Sequence, residues 1–472
     1  MTRTVYDDIR YSNFPYAQTH PGRLATVAAL HGMTPPDPFS GRVLELGCGA
    51  GGNLLAMAAA TPGLRAVGID LAPTAIEQAT EIARAAGLAN VSFAVGDVRN
   101  LTGGELGTFD FIVAHGLYAW VPADVRDALL AVIASHLAEH GLAYVSYNAH
   151  PGGHFRRMLR EMGQWYARGL SDPVEHAQKA QELYRFLRDQ RMTEADTYGA
   201  VLERELPALA GAPIWRLVHD DLGESWEPVW FADFMEHAGT HGLGYVGEAD
   251  LYGLRAEAHM PAGVENEAWA FAGGDRIAFE QISDILVNRH FRQTVLCRAG
   301  VAVAAEPSPA AAAGLWWTAR EAVADAPAEG VARDVFQELD RVRPRSLAFA
   351  ELLERVGCGA AVLGEALIAG VRSEHLVPHA GPFNAAAEAG ERPVASPLAR
   401  YQASVGADIT SLTYGTVRME EPAARLLITL LDGTRDRAAI RAELRERVGV
   451  ELAPEDLDAN LHELARLFLL AG

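Results

Sequence analysis

Four glycines within six residues follow a short apolar run near the start of the chain. The stretch Val43–Asn53 has the sequence VLELGCGAGGN, in which Glu45 interrupts the apolar run and Gly47, Gly49 and Gly51 come after it. Glycine permits positive backbone φ angles and has no Cβ to block a ligand, so a strand that ends here can turn sharply into a helix. We therefore expect the backbone of this loop to touch a bound cofactor.

Acidic residues end the next two predicted strands. Asp70 is the last residue of LRAVGID, and Asp97 is the last residue of NVSFAVGD. At the ligand edge of an α/β sheet, the first can accept both hydroxyls of a ribose and the second can reach an adenine amino group. Glu45 adds an acid on the approach to the cofactor's amino-acid end. A mere tight turn would not need these acids, so we expect a nucleoside-bearing cofactor.

The first 150 residues alternate between short apolar runs and helical patterns, which predicts a parallel sheet with crossover helices. The predicted strands cover residues 42–47, 64–70, 90–97, 109–116 and 141–148, and the predicted helices include residues 53–61, 74–86 and 123–139. A doubly wound α/β sheet of this kind binds its ligand beyond the carboxyl ends of the strands. The glycines and the acids lie at those ends.

The glycine pattern is ExGxGxG, whereas a nicotinamide dinucleotide needs GxGxxG to seat its pyrophosphate. Together with the VGD after the third strand, it closely resembles the class I S-adenosylmethionine (SAM) methyltransferases over residues 42–148. The resemblance implies a Rossmann-like core, SAM as cofactor with S-adenosylhomocysteine as product, and no metal. The expected cofactor contacts are Tyr16, Glu45, Gly47, Cys48, Gly49, Gly51, Asn53, Asp70, Leu71, Asp97, Val98 and His115.

A chain of 472 residues is long enough for several domains. Aromatic residues precede the first strand, and we expect residues 1–40 to form a flap over the cofactor, with core packing as the alternative. The predicted cofactor-binding core covers residues 41–150, a helical insertion that forms a substrate lid covers 151–229, and the sheet is completed within 230–300. Residues 301–314 are rich in Ala and Pro, which suggests a linker. In residues 315–472, AELLERVG recurs as AELRERVG, which predicts a mainly helical domain of tandem winged-helix-like units.

Stretches outside the cofactor loop narrow the resemblance. Residues 6–33, 115–122, 146–162 and 288–297 are similar to bacterial methyltransferases that carry a methyltransferase regulatory domain. That group includes the rickettsial protein-lysine methyltransferases that act on outer-membrane proteins. One departure is clear: where the family pattern has SYNTLPGW, residues 146–153 are SYNAHPGG.

Aromatic and polar side chains follow the fourth and fifth predicted strands. The candidate catalytic residues are Tyr118, Trp120, Tyr147, Asn148 and His150. We expect Tyr147 and Asn148 to accept hydrogen bonds from an amine, and Tyr118 and Trp120 to offer ring faces to a methylated ammonium. His150 is a candidate proton acceptor, because histidine titrates near neutral pH. Core packing is the alternative for each aromatic residue.

Composition limits the partners and the compartment. The net charge of −21 argues against a nucleic-acid partner, because phosphate binding needs clustered Lys and Arg. No apolar run reaches the roughly 20 residues that span a bilayer, and MTRTVYDDIRY lacks the plan of a signal peptide. We therefore expect a cytoplasmic protein without membrane insertion. Acids outnumber arginines in residues 315–472, which favours protein docking or a homodimer over DNA binding.

These features predict a SAM-dependent N-methyltransferase that acts on a protein or peptide, with lysine as the expected target. One alternative is a small-molecule or natural-product methyltransferase, which a small sealed pocket would favour. The other is a non-catalytic SAM-binding regulatory or interaction protein. Lys179 is the single lysine of the chain, which is consistent with a lysine-modifying enzyme but follows equally from an arginine-rich composition.

Overall fold

A seven-stranded sheet forms the centre of the first 300 residues. The computed structural model describes residues 9, 13–190, 197–223, 225–251, 260, 263–320, 329–382 and 385–472. The strands are β1 (Arg42–Leu46), β2 (Arg65–Asp70), β3 (Val91–Val95), β4 (Phe109–Ala114), β5 (Leu137–Asn148), β6 (Leu243–Glu248) and β7 (Phe291–Arg298). Their order is β3-β2-β1-β4-β5-β7-β6, and β7 runs antiparallel to both of its neighbours. The predicted doubly wound α/β sheet is confirmed.

Helices pack on the sheet and form the insertion after β5. They are α1 (Pro21–Leu30), α2 (Gly52–Ala60), α3 (Pro73–Ala85), α4 (Ala123–His136), α5 (Gly153–Tyr166), α6 (Pro173–Asp189), α7 (Thr197–Ala210), α8 (Phe231–Thr240), α9 (Val264–Phe271) and α10 (Arg276–Val287). Helix α6 shows why such a segment is helical. Asp172 caps its first turn by accepting from two backbone amides, and Ala177, Ala180 and Tyr184 form the buried face. Among the described helices, none has the length and apolar content that crossing a bilayer requires.

The strands separate two apolar cores, one on each face of the sheet. Val43 and Leu44 are neighbours on β1, and their fully buried side chains enter opposite cores. Phe111 and Ile112 divide in the same way on β4. This follows from the alternation of side chains along a strand. The near-continuous apolar sequence of these strands is therefore the signature of a sheet covered on both faces.

Arg292 on β7 is fully buried and binds three carboxylates. Its guanidinium donates to Glu248 at 2.9 Å, to Glu280 at 2.9 Å and to Asp284 at 2.8 Å. The cation also lies 3.8 Å from the ring centroid of Phe231. Since Glu248 is on β6 and the other two acids are on α10, this network joins the last two strands to the helix between them in sequence.

Much of the described N-terminal region packs in the core, in addition to the flap that the sequence predicts. Helix α1 lies in the core, where Leu24 and Val27 are at most 1% exposed. Only the segment before it, from residue 13 to 20, is placed as a flap would be. The expected flap residues Tyr6 and Tyr11 lie outside the described residues.

The segment expected to be a linker, residues 301–314, is packed and hydrogen-bonded. The amide of Ala304 donates to the carbonyl of His31 at 2.9 Å, and the His31 ring bonds the Ala304 carbonyl at 2.8 Å. Residues Pro309–Gly314 form a 3-10 helix. The core that contains α1 continues past this segment to Trp317, which is fully buried. The C-terminal region therefore shares a hydrophobic core with α1 and the sheet, and is not joined to them by a flexible linker.

The C-terminal region is mainly helical, and the repeated octapeptide falls on a helix in both of its occurrences. Its elements are β8 (Trp316–Ala319), α11 (Gly330–Arg341), β9 (Leu347–Ala348), α12 (Phe349–Val356), α13 (Ala360–Arg372), β10 (Leu376–His379), α14 (Pro397–Val405), β11 (Asp408–Thr410), β12 (Thr416–Arg418), α15 (Pro422–Leu430), α16 (Arg437–Val448) and α17 (Pro454–Arg466). The two copies of the repeated octapeptide lie at the ends of α12 and α16, and the last residue of each copy is a glycine in the left-handed region, Gly357 and Gly449. The leucines that the repeat aligns, Leu363 with Leu457 and Leu367 with Leu461, are all fully buried.

Replacing Arg292 with Met removes the cation that the buried carboxyl groups of Glu248 and Asp284 share with the partly exposed Glu280. We expect the free energy of unfolding to fall by about 3 to 5 kcal/mol, the usual cost of removing one partner of a buried ion pair. Urea unfolding at neutral pH measures the change. Arg418→Met is the matched control, because the ion pairs of Arg418 are exposed and should contribute less than about 1 kcal/mol. Equal losses in the two variants would contradict a stabilising network.

Candidate active site

The glycine loop between β1 and α2 has a backbone that glycine alone adopts readily. The φ angle is +77° at Gly47, +53° at Gly49 and +76° at Gly51. A Cβ at Gly51 would lie 2.6 Å from the Phe93 ring, whereas a Cβ at Gly49 would meet no atom within 4 Å. The loop is therefore closed against the protein at Gly51 and leaves open space at Gly49, as the sequence predicts for a loop that a ligand approaches.

Cys48 contributes its backbone to this loop and not its thiol. Its amide donates to the carbonyl of Ile69 at 3.1 Å, which ties the loop to the end of β2. Its side chain is 8% exposed, and a Cβ at Gly68 would lie 2.8 Å from Sγ. The thiol therefore points into the core beside β2, so the predicted contact between Cys48 and a cofactor would have to be made by its backbone.

Asp70 holds the glycine loop in place. One carboxylate oxygen accepts the amide of Gly49 at 2.8 Å, and the other accepts the amide of Ala72 at 2.9 Å. A carboxylate has about four acceptor positions, so it can bind these two amides and accept hydroxyl groups as well. Asp70 thus has the position and the chemistry expected of a ribose ligand.

Glu45 is buried at 3% exposure beneath the loop. Its Oε1 accepts the side-chain amide of Asn53 at 2.8 Å, while Oε2 has no hydrogen-bond partner among the described residues. Burial raises the pKa of Glu45 to about 8, a shift that the Asn53 hydrogen bond opposes and the charge of Asp70 increases. A buried acid with an unsatisfied oxygen is costly unless a donor or a cation completes it. The ammonium group of an amino-acid moiety would do so.

The part of the predicted site that would bind adenine has fewer available groups than the part formed by Glu45 and Asp70. Leu71, just after β2, is 51% exposed and presents apolar surface there, whereas Val98, after β3, is 9% exposed and packs in the core. Asp97 instead binds Arg99, whose Nη2 donates to it at 2.6 Å, and this lowers the pKa of the carboxyl group. An adenine amino group would therefore have to share Asp97 with Arg99.

The segment before α1 lies over the glycine loop. The amide of Tyr16 donates to Asn53 Oδ1 at 3.0 Å, and the amide of Gly52 donates to Asn13 Oδ1. The Tyr16 ring lies 3.9 Å from the ring of His115, measured between centroids. Burial lowers the pKa of His115 to about 4, so this imidazole is neutral at pH 7. These contacts bring Tyr16, Asn53 and His115 together at the mouth of the loop, in agreement with the expected set.

Two of the predicted acceptor residues do not face the mouth. Tyr147 is fully buried and its hydroxyl bonds Thr294 at 2.9 Å, while Tyr118 is 3% exposed and its hydroxyl bonds His237 at 2.8 Å. Both rings pack against Phe234 in the core on one face of the sheet. Burial raises the pKa of both phenols, so neither can serve as a base at neutral pH. The prediction followed their places in the chain, whereas the sheet turns their side chains inward.

Asn148 and two tryptophans, by contrast, lie together beside the end of β5 and are the candidates for the acceptor side. The indole of Trp226 donates to Asn148 Oδ1 at 3.0 Å, and the centroids of the Trp120 and Trp226 rings are 6.1 Å apart. At Gly153, where the family pattern predicts Trp, a Cβ would lie 2.7 Å from the side chain of Pro228. Trp226 was missed from the sequence. Its only signal was an aromatic pair in ESWEPVW, far along the chain from Asn148.

His150 packs against the rings of His154 and Trp230. It is 7% exposed, its ring is 4.0 Å from that of His154, and its Nδ1 has no partner among the described residues. Burial, together with the charges of His154 and Arg157, lowers the pKa of His150 to about 4. The imidazole is therefore neutral and only weakly basic at pH 7, which argues against the predicted role as proton acceptor.

A cavity of about 410 Å³ opens to solvent beside the tryptophans, between α5 and the start of α4. It is lined by Val121, Pro122, Arg126, Arg157, Arg160, Glu161, Gln164, Ser225, Trp226 and Glu227. A larger cavity, of about 700 Å³, lies at the amino ends of β1, β2 and β3. The smaller one is the better candidate for an acceptor cleft, because ligands of open α/β sheets bind at the carboxyl ends of the strands.

The residues present fit SAM. The unsatisfied oxygen of Glu45 suits its ammonium group, Asp70 suits the ribose, and the exposed side chain of Leu71 offers an apolar contact to the adenine. In addition, the open space at Gly49 admits a ligand close to the backbone. The chemistry of the donor set thus agrees with the cofactor that the glycine pattern predicts.

This sheet order, with a glycine loop after β1 and acids at the ends of β2 and β3, defines a class I methyltransferase. Residues 43–141 match a methyltransferase domain, residues 216–298 a predicted methyltransferase regulatory domain, and residues 391–456 the C-terminal winged helix domain of PKMT. The uncharacterized protein RP028 of Rickettsia prowazekii is 31% identical over 233 residues, which are 93% of its length and 49% of this chain. The chain belongs to the family of methyltransferases that carry this regulatory domain.

Two further relatives extend the comparison. The uncharacterized protein RP789 of Rickettsia prowazekii is 34% identical over 292 residues, which are 62% of this chain but 52% of the relative, so the chain spans about half the length of that protein. The structure of PKMT2 from Rickettsia typhi matches 98% of this chain and 100% of its own, with a TM-score of 0.84 and 23% identity. A second structure of PKMT2 is in complex with AdoHcy. At this identity the likeness establishes the fold over nearly the whole chain.

The buried carboxyl group of Glu45 predicts a proton linked to cofactor binding. With a pKa of about 8 it is mostly protonated at pH 7, and an ammonium group binds the ionised form better. SAM binding should therefore release a proton at pH 7. The affinity should rise between about pH 6.5 and 8, by at most about tenfold per pH unit. Calorimetry in two buffers with different ionisation enthalpies measures the proton release.

Glu45→Gln should abolish that proton release and weaken binding. Glu77→Gln, at an exposed position on α3, is the matched control and should change neither quantity. If the release persists in Glu45→Gln, another group titrates on binding and Glu45 does not meet the ammonium.

Proposed function

We propose that the chain is a SAM-dependent methyltransferase that modifies a protein or peptide, with a lysine amine as the acceptor. The observation that carries the cofactor assignment is the buried, unsatisfied oxygen of Glu45 under the glycine loop. The protein acceptor is supported by the PKMT winged helix domain at residues 391–456 and by the fold shared with PKMT2.

SAM would be held by Glu45, Asp70 and the glycine loop, and when bound it supplies a methyl group for in-line transfer. The chain mainly has to position the acceptor, and such orientation can contribute about 7 to 11 kcal/mol to lowering a barrier. Asn148 and the rings of Trp120 and Trp226 are the groups that would orient an amine. An amine between them would meet the polar amide of Asn148 on one side and the two indole rings on the others.

A lysine amine has an ordinary pKa near 10.4 and must lose a proton before it can attack. Desolvation between aromatic rings favours the neutral amine. His150 is a weak base, and the phenols of Tyr118 and Tyr147 are buried and protonated. We therefore propose that the proton leaves to solvent through the open cleft, before the amine reaches the methyl group, and that no side chain acts as a dedicated base.

The open cleft favours a peptide over a small molecule. A small-molecule enzyme would be expected to close a sealed pocket, whereas this cavity of about 410 Å³ faces solvent. Three arginines and two glutamates line it, and Arg126 pairs with Glu227 at 3.2 Å. The remaining positive charge would suit acidic residues that flank the target lysine. We propose that the insertion at residues 151–229 serves as the lid over this cleft.

The remaining assignments concern partners and location. We propose that the C-terminal region, residues 315–472, docks the protein substrate, and that two copies of the chain associate as a homodimer. We also propose a bacterial, cytoplasmic protein. Analytical ultracentrifugation would test the homodimer directly, and a monomer at micromolar concentration would contradict it.

A screen for the acceptor separates the three candidate functions. Purified protein is incubated with labelled SAM and a bacterial lysate fractionated into proteins and small molecules. We expect label on protein lysines, located by mass spectrometry. Label only in the small-molecule fraction would identify the first alternative, and SAM binding without any transfer would identify the second. Because Lys179 is the only lysine, self-methylation would be detected at a single side chain.

Trp226→Ala should reduce kcat/KM for the acceptor by about tenfold or more while leaving SAM affinity within about twofold, because it removes both a ring face and the donor to Asn148. Asn148→Ala should lower kcat more than it raises KM. Trp165→Ala is the matched control, since Trp165 is 63% exposed on α5, and should behave as wild type. If Trp226→Ala and Asn148→Ala both turned over at the wild-type rate, the acceptor would have to bind at another site.

A further inference from the structure

Three metal-ligating side chains meet on the surface between α4 and α8, apart from the glycine loop. Asp127 belongs to α4, His237 belongs to α8, and His241 caps the end of α8. One donor atom from each residue lies within 4.8 Å of the other two. Asp127 Oδ1 is 3.2 Å from His237 Nε2 and 2.9 Å from His241 Nε2.

The spacing of these groups suits a transition metal. Two histidines at positions i and i+4 lie on one face of a helix, a recurrent arrangement for zinc ligands. Ligands about 2.0 to 2.1 Å from a tetrahedral zinc ion are about 3.3 Å from one another. The separations of 2.9 and 3.2 Å between Asp127 and the two imidazoles are close to that value.

A buried residue already orients one of the imidazoles. The Nδ1 of His237 bonds the hydroxyl of Tyr118 at 2.8 Å. Tyr118 is 3% exposed and its ring packs edge-on against Phe234, with centroids 5.0 Å apart, so the hydroxyl is fixed in position. Histidines that bind metals usually use the second ring nitrogen in this way, because an outer hydrogen bond sets the ring orientation and the tautomer.

We propose that Asp127, His237 and His241 bind one divalent transition-metal ion of the Zn²⁺ class, with water completing the coordination. The site would join α4 to α8. Through Tyr118 it would also hold the 3-10 turn Tyr118–Trp120, which directly precedes Val121 and Pro122 in the wall of the candidate acceptor cleft. Its role is therefore structural, and it is independent of the proposed methyl transfer.

The competing interpretation is a hydrogen-bonded clamp in which both Nε2–H groups donate to Asp127. That clamp and the metal site require opposite tautomers of the two imidazoles, because a ligating nitrogen presents its lone pair. The two interpretations can therefore be distinguished by a metal-binding measurement alone, without an assay of activity.

The experiment uses untagged full-length protein, freed of metal by a chelator and dialysed. Titration with Co²⁺ should give a visible absorption band with one equivalent bound, and Zn²⁺ should displace it. Asp127→Asn, His237→Ala and His241→Ala should each weaken binding by about tenfold or more, and Tyr118→Phe by about 10-fold to 100-fold, as expected for an outer-shell partner. The matched controls are Asp124→Asn on the same helix and His140→Ala, both exposed, and these should bind as wild type.

The absence of a visible band and of retained Zn²⁺ in the wild-type protein would overturn the proposal in favour of the clamp. Binding that is unchanged in Asp127→Asn and His241→Ala would also overturn it, because the metal would then lie elsewhere. Asp127 is exposed, so its variant is expected to fold even if His237→Ala does not.

Discussion

The architecture depends on one guanidinium buried with three carboxylates. Arg292 cannot be removed from water without these acids, and Glu248 in turn is buried against Arg292, while Asp284 is also paired with Arg289. The network fastens β6, β7 and α10 into one unit, and it continues from Glu248 through Thr294 to Tyr147 by hydrogen bonds of 3.1 and 2.9 Å. Tyr147 directly precedes Asn148. The region that matches the regulatory domain is therefore part of the sheet that carries the active site, and not an appendage to it.

The two halves of the active site are built in different ways. The cofactor half uses residues close in sequence, in which the glycine loop, Glu45 and Asn53 belong to one strand, turn and helix. The proposed acceptor half is assembled from distant segments, since Asn148 ends β5 while Trp226 lies near the end of the insertion at residues 151–229. This division suits an enzyme class that keeps one cofactor and varies its acceptor. A local motif can hold the cofactor, while a long insertion can change the cleft without disturbing it.

The sequence predicted the sheet because apolar runs of strand length alternate with helical patterns, and the order of strands follows from short right-handed crossovers. The glycine loop could be predicted for the same reason, since the motif specifies backbone geometry directly. The direction of the Cys48 thiol could not, because adjacent residues of a loop can face opposite sides. The segment predicted as a linker, residues 301–314, is packed in the structure. Alanine and proline are typical of tethers, but the same small residues allow close packing against α1.

The amino-acid sequence by itself determined the doubly wound sheet, the glycine loop and the positions of the acids near it. The sheet depends on local hydrophobic periodicity, and the loop depends on positive φ angles that chiefly glycine adopts. Tertiary structure alone decided the direction in which the aromatic side chains point. Tyr118 and Tyr147 follow strands at the ligand edge, yet both turn into the core and meet Phe234. Trp226, remote in sequence, takes the place at the cleft. Position along a chain specifies which strand end a residue reaches, whereas the face it occupies depends on what packs against that strand.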